Sequence, residues 1–260
     1  MSNFTVFSSR ILLGLALVTP ACMAATAPSP EQVAQMLQSA DDYRLKEEAA
    51  RVISLVSLYQ EGELDKTREY HVYTRANRES LVIFKSAVEA GQKMLMLQDN
   101  YWLQMPKSRR PIRITPMQKL LGEASVGDIS TLTWSDDYQG QWQAQETLTL
   151  PDGQSLNTHK LALTALTSGV SYQHIDLWIA QEDDFPIKAD LYLRSGKLAK
   201  QAWFERGVQQ GVSRVVSMTL LDRIQPAKKT VIEYQDIQPW ALEDKFYNPS
   251  YLIKADVSQW

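Results

Sequence analysis

Three histidines (His71, His159 and His174) and a single cysteine, Cys22, have the widest chemical range in this 260-residue chain. A serine–histidine–acid triad would need one of these imidazoles between a hydroxyl and a carboxylate, a geometry that spacing does not reveal. Each histidine falls in a stretch of strand-like alternation, where a hydrogen-bonded structural role is the commoner outcome. The Gly-x-Ser-x-Gly elbow, the Gly-x-Gly-x-x-Gly turn, the phosphate-binding loop and the His-Glu-x-x-His zinc motif do not occur. One cysteine makes neither an intrachain disulfide nor a cysteine-built metal centre. Asp136-Asp137 and Glu182-Asp183-Asp184 lack the spaced oxygen ligands and glycine of a calcium loop. The expectation is a protein that is not an enzyme and carries no cofactor or metal; a hydrolase built on His159 or His174 is the enzymatic alternative.

The chemistry that does stand out is cationic. Lys107, Arg109, Arg110 and Arg113 place four positive charges within seven residues. Tyr101-Trp102-Leu103 precedes them and the apolar group Met117, Leu120 and Leu121 follows. Cations beside aromatic and aliphatic side chains suit a lipid, meeting phosphate headgroups while the apolar groups accept the chains. An acidic face of a partner protein fits the same cations, and a solvated connection between two elements is the structural alternative.

The chain as a whole is not basic: 27 Lys and Arg stand against 30 Asp and Glu, a formal charge of −3. Nucleic-acid binding, whose footprint is a basic domain, is not expected. Arg10, the run Ile11–Val18 and the small residues Ala21–Ala25 have the layout of a secretory signal peptide, and the run is too short to span a bilayer. Cleavage after Ala24 is preferred over acylation of Cys22, because Thr19 stands where lipoprotein signals carry Leu. Loss of residues 1–24 removes Arg10 and leaves 26 basic against 30 acidic residues, a net charge of −4. A mature chain without cysteine suits an oxidising compartment such as a bacterial periplasm.

The elements that must position these groups are mainly strands. Ser29-Pro30-Glu31 opens a helix that runs to about Tyr43, with Val33, Met36, Leu37 and Ala40 on one stripe. Beyond residue 50 the period changes to two. Strands are expected over 51–60, 69–75, 80–85, 93–98, 101–105, 141–150, 157–166, 172–181, 186–194, 198–205, 212–221 and 230–235. Asp99-Asn100 and Pro151-Asp152-Gly153 read as turns. Short helices are expected at Pro116–Leu121 and near Leu242–Tyr247. The fold class is mainly β (α+β): an open, incomplete antiparallel β-barrel of about eleven strands with a few covering helices, one domain over residues 25–260. The seven tryptophans (Trp102, Trp134, Trp142, Trp178, Trp203, Trp240 and Trp260) line a cavity or fill the core.

The segment Asp99–Ile114 (DNYWLQMPKSRRPIRI), with Gly127-Asp128-Ile129-Ser130 and Phe185-Pro186-Ile187-Lys188, resembles the LolA-like outer-membrane lipoprotein-sorting proteins over roughly residues 30–250. Tyr101-Trp102 and Gln104 depart from that signature, as does the polar segment around Asp136–Gln145. The resemblance implies an open β-barrel around a hydrophobic cavity, and a periplasmic carrier of lipid or lipoprotein acyl chains that catalyses nothing. It also implies an association with an inner-membrane RND-type transporter. On this expectation Leu95, Leu97, Trp102, Leu103, Met117, Leu120 and Leu121 are chain contacts, and Lys107, Arg109, Arg110 and Arg113 meet headgroups or a partner, in a monomer. The alternative is a regulatory or accessory module that binds a membrane protein and carries no lipid.

Overall fold

A computed structural model describes Met1 and residues 27–130, 133–223 and 227–255. Residues 2–24 of the expected export segment, Cys22 among them, and Trp260 lie outside the described residues. The fold begins with helix α1 (Pro30–Asp42). Its start is a reciprocal capping box: Ser29 Oγ accepts from the Gln32 N–H, and Gln32 Oε1 accepts from the Ser29 N–H at 2.8 Å. Val33, Leu37 and Ala40 are buried, as their spacing predicts.

Strands follow in chain order: β1 (Ala49–Gln60), β2 (Glu63–Arg75), β3 (Glu79–Phe84), β4 (Lys93–Leu97), β5 (Asn100–Gln104), β6 (Ile112–Ile114), β7 (Lys119–Leu121) and β8 (Ala124–Ser125). The short helix α2 (Val126–Ser130) precedes β9 (Tyr138–Thr149), β10 (Ser155–Ala165), β11 (His174–Ala180), β12 (Pro186–Tyr192), β13 (Leu198–Gln209), β14 (Val212–Asp222) and β15 (Lys228–Pro239). Thirteen of them form one sheet in the order β6-β5-β4-β3-β2-β1-β15-β14-β13-β12-β11-β10-β9, while β7 and β8 pair separately. Every neighbouring pair is antiparallel. β6 and β9 do not pair, so the sheet stays open. Bulges at Ile53/Ser54, Lys160/Leu161, Trp178/Ile179 and Glu205/Arg206 add local twist that helps a sheet of this width to curl.

The mainly β, open architecture agrees with the sequence, and several local expectations do not. The sheet has thirteen strands because β6 joins those with clear alternation. The turn between β4 and β5 is Gln98-Asp99, one residue early, with Gln98 at φ 54°. Pro116–Leu121 is not a helix: Pro116-Met117 is a turn, and β7 pairs with β8 through Lys119↔Ser125 and Leu121↔Ala124. Gly122, at φ +55°, makes that reversal, and a Cβ there would meet Thr230 Oγ1 at 2.4 Å. Near Leu242–Tyr247 the chain makes one 3₁₀ turn, Asp244–Tyr247.

Residues from both halves of the sheet share one inner core, including Val56, Val72 and Met94 from one half and Leu161, Leu177 and Ala202 from the other. α1, α2 and the β7–β8 hairpin pack into this hollow. Gly140 of β9 admits α1 closely, since a Cβ there would stand 2.9 Å from Leu37 and from Val33. A second, smaller core lies on the outer face, where residues 242–255 cover Tyr73, Leu81, Ile83 and Leu95. Lys93 Nζ donates to the Ala255 carbonyl at 2.6 Å, and Arg75 Nη1 donates to Asp244 at 2.5 Å, holding that cover in place. Across the opening, Arg78 between β2 and β3 meets both Asp99 and Asp137, and Thr167 Oγ1 donates to Asp99 at 3.0 Å.

Candidate functional site

The hollow is largely filled by the chain itself. A small space of about 50 Å³ is lined by Arg44, Asp128, Trp134, Tyr138, Tyr172 and Phe204 among others. Its polar wall is a buried network. Lys200 Nζ of β13 lies 2.6 Å from Asp128 Oδ2 of α2. Asp128 also accepts from the Ser125 N–H and Oγ and from Tyr172 Oη, each at 2.7 Å. Burial alone pushes the Asp128 carboxyl up, but the Lys200 charge and these hydrogen bonds hold it below the ordinary carboxylate value. Asp41 at the end of α1 plays a similar part, accepting from the Trp134 and Ser135 N–H groups at 2.7 Å.

Room for a guest lies at the mouth of the hollow. β12 pairs with β13 from Lys188↔Trp203 to Tyr192↔Leu198, so β13 beyond Trp203 has no partner on that side. The mismatch leaves an open cleft of about 710 Å³ between the β11–β12 turn, the β9–β10 turn and the free edge of β13. This volume is typical of small-molecule sites, which run from about 300 to 1,000 Å³. Leu150 and Leu156, on either side of the Pro151-Asp152-Gly153 turn, join Phe185, Ile187, Trp203 and Phe204 as its apolar lining. All six belong to, or pack against, the inner core, so the cleft is a continuation of that core to solvent. Phe204 lines both the cleft and this small space. Its ring stands edge-on to Trp134 at 5.6 Å between centroids.

The rim is charged. Arg206 reaches Asp183 Oδ2 at 2.8 Å and Oδ1 at 3.0 Å, a two-pronged pair that is partly exposed. Its guanidinium also lies 4.0 Å from the centre of the Phe185 ring. Burial raises the Asp183 carboxyl, and the Arg206 and Phe185 N–H hydrogen bonds outweigh it and leave its pKa lowered. The same partner outweighs burial at Arg206 and leaves its pKa raised. The cleft therefore offers an apolar floor with a cation and its counter-ion at the edge.

The residues expected from sequence are divided among other places, and none lines this cleft. Leu95, Leu97 and Trp102 are on the outer face, packed with residues 242–255. Leu103, Met117, Leu120 and Leu121 belong to the inner core around the β7–β8 hairpin. Lys107, Arg109 and Arg110 are exposed on the β5–β6 connection. Arg113, on β6, donates to Asn100 Oδ1 at 2.5 Å and lies 4.6 Å over the Trp102 ring. Sequence reasoning missed Leu150, Leu156, Phe185, Ile187, Phe204 and Arg206 as a group. The available signals were the alternation over Pro186–Arg194 and the turn at Pro151-Asp152-Gly153, which mark the ends of strands and not their convergence.

The histidines have structural partners. His71 Nε2 is 2.8 Å from Glu69, His159 Nδ1 accepts from Trp142 Nε1 at 3.3 Å, and His174 Nδ1 lies 3.2 Å from the Leu163 carbonyl. Among the described residues, no three His, Cys, Asp or Glu side chains gather as metal ligands would. No helix among them is long and apolar enough to cross a membrane.

The open thirteen-stranded sheet wrapped over short helices is a LolA-like fold. A LolA superfamily protein from Nitrosomonas europaea is 26% identical, with a TM-score of 0.76 over 87% of this chain and 100% of that one. Two further solved structures share the fold. An outer membrane lipoprotein-sorting protein domain from Vibrio parahaemolyticus is 18% identical, with a TM-score of 0.68 over 86% of this chain and all of that one. A DUF1329 family protein from Desulfovibrio piger is 21% identical, with a TM-score of 0.66 over 85% and 98%. No curated protein matches the chain. Residues 76–254 match a family model described as "-like: Uncharacterized protein", and the chain belongs to that family.

Proposed function

We propose that this chain is an exported, non-enzymatic carrier that holds an acyl chain of a lipid or lipoprotein in the cleft beside Phe204. The observation that supports this most is the cleft itself: about 710 Å³, open to solvent, with a floor continuous with the inner core. Each methylene buried there contributes roughly 0.8 kcal/mol, so a long chain is retained without covalent chemistry. Arg206, freed from Asp183 or shared with it, is suited to the anionic end of the guest. The likeness to a LolA superfamily protein at 26% identity gives independent support for the carrier reading. In this reading the protein works as a monomer in the periplasm, with an inner-membrane RND-type transporter as a partner.

The test uses protein stripped of lipid and titrated with a fluorescent fatty acid, alongside mass spectrometry of extracts from untreated protein. Leu156 is half-buried at the cleft wall, and Leu156→Glu introduces a charge there without emptying the core. Uptake is expected in the parent and at least a tenfold loss in the variant. A parent that takes up no fatty acid and releases no lipid on extraction overturns the proposal, as does equal uptake by both proteins.

A further inference from the structure

The rim formed by the β3–β4 and β5–β6 connections has no part in the cleft. β3, β4, β5 and β6 are consecutive in the sheet, so the two connections leave from the same ends of neighbouring strands. They touch: a Cβ on Gly91 would lie 3.2 Å from Pro106 Cγ. The β5–β6 connection is a fixed shape and not a slack linker. The buried Gln104 side chain donates to the carbonyls of Met105 and Ser108 and to Ser108 Oγ at 2.9 to 3.0 Å. Ser108 Oγ lies in turn within hydrogen-bond distance of the Met105 and Arg110 carbonyls.

What this rigid rim presents is mixed in a particular way. Lys107, Arg109 and Arg110 are exposed, and their side chains have no carboxylate partner among the described residues. Large apolar side chains are exposed between and beside them: Val88 at 70%, Ile112 at 51% and Met105 at 38%. The one acid on the β3–β4 connection, Glu89, is engaged by Arg68 at 3.6 Å and by Tyr70 Oη at 3.4 Å. The next hairpin is mixed in charge, with Glu61, Glu63 and Asp65 beside Lys66, Lys228 and Lys229, and Lys66 lies 3.4 Å from Asp65. The rim thus carries three exposed cations without a carboxylate partner, in a chain whose formal charge is −3.

We infer that this rim is a docking surface for an anionic phospholipid bilayer. Lys107, Arg109 and Arg110 meet the lipid phosphates, and Val88, Met105 and Ile112 enter the headgroup region. A bilayer accommodates this arrangement because cations and apolar side chains share one exposed edge, and a membrane interface offers both kinds of contact at once. The inference stands apart from the acyl-chain reading, because no residue of the rim lines the cleft.

The test is co-sedimentation of the purified chain with phosphatidylcholine vesicles, with and without about 30% phosphatidylglycerol, at low and high salt. Binding is expected to the anionic vesicles alone and to fall steeply with salt. Each cation at such a surface is worth roughly fivefold in partitioning, so R109Q/R110Q is expected to lose about 25-fold. V88S/I112S is expected to weaken binding while leaving the salt dependence unchanged. Fluorescent fatty acid uptake by R109Q/R110Q should equal that of the parent, which separates a failure here from a failure of the cleft. Equal binding to both vesicle types, or anionic binding that R109Q/R110Q leaves intact, overturns the inference. Retention on polyglutamate with no binding to vesicles also overturns it and assigns the rim to an acidic protein.

Discussion

Replacing Lys200 by Met tests what holds α2 inside the hollow. Lys200 and Asp128 are each about 2–3% exposed in their side chains and meet at 2.6 Å. Met has similar length and fills the space, so the variant removes charge more than volume. It leaves a buried carboxylate with three hydrogen-bond donors, from Ser125 and Tyr172, and no cation. Breaking a buried pair from one side costs about 3–5 kcal/mol, a large part of the roughly 5–15 kcal/mol that stabilises a domain. For a chain of this size the melting temperature should drop by roughly 6–20 °C. Urea unfolding followed by tryptophan fluorescence measures the cost directly, with the slope unchanged if both states keep their exposed surface. Asp128→Asn in the Lys200→Met background should restore at least half of the loss, since no unpaired charge remains. The deficit of the single variant should also narrow toward pH 4. The folded pKa of Asp128 in the parent lies below its ordinary value. The parent's gain is therefore present above the unfolded pKa and lost as pH falls through the folded one, while the variant's carboxyl is neutralised by the same protons. A cost below about 1 kcal/mol, or a double variant no better than the sum of its parts, would refute the pin.

Two further outcomes follow from the same geometry. Asp137 is fully buried beside Arg78, and burial, only partly offset by that cation, pushes its carboxyl up to about 6. A raised folded pKa means stability present below about pH 4 and lost as pH rises through about 6, on the order of 3 kcal/mol. Asp137→Asn should remove that slope, so the variant's stability relative to the parent rises between pH 4 and 7; a pH-independent difference would count against this. Phe204→Ala removes the side chain that lines both the cleft and the small space of about 50 Å³. It should cost about 3 kcal/mol in urea unfolding and shift the preferred fatty acid toward longer chains in a homologous series. An unchanged chain-length preference would mean that the guest does not reach Phe204.

The sequence was readable where one face of an element is buried and the other is not. Over Pro186–Tyr192 apolar and polar residues alternate, and Ile187, Ala189 and Leu191 are buried as that pattern requires. Ser29-Pro30-Glu31 likewise marked the start of α1, which begins at Pro30 with Ser29 as its cap. β4 is different: KMLML is covered on both faces, Met94 and Met96 by the inner core and Leu95 by residues 242–255. With no polar face the pattern cannot say which residues point inward, and the cover comes from a segment about 150 residues away that carries no mark of its destination. Pro116–Leu121 fails for another reason. Apolar residues at Met117, Leu120 and Leu121 fit one helical turn and a short hairpin equally, and pairing with Ala124-Ser125 decides between them. The cleft was hidden most deeply, because it arises from a length difference between β12 and β13 and from turns that meet only when the sheet curls.

That origin bears on how a guest enters. A hollow filled by α1, α2 and the β7–β8 hairpin could admit a chain by expelling one of them or by leaving them in place and using the mouth. Expulsion of α2 would break the Asp128–Lys200 pair and expose both charges, whereas the mouth already provides about 710 Å³. A guest shifts an equilibrium only by its difference in affinity for the two states. If uptake required α2 to leave, weakening the pin would raise apparent affinity in proportion to the cost removed, tenfold for each 1.4 kcal/mol. If the mouth is the site, Lys200→Met lowers stability and leaves affinity per folded molecule unchanged. The second outcome is expected, and fatty acid titration of Lys200→Met well below its melting temperature decides between them.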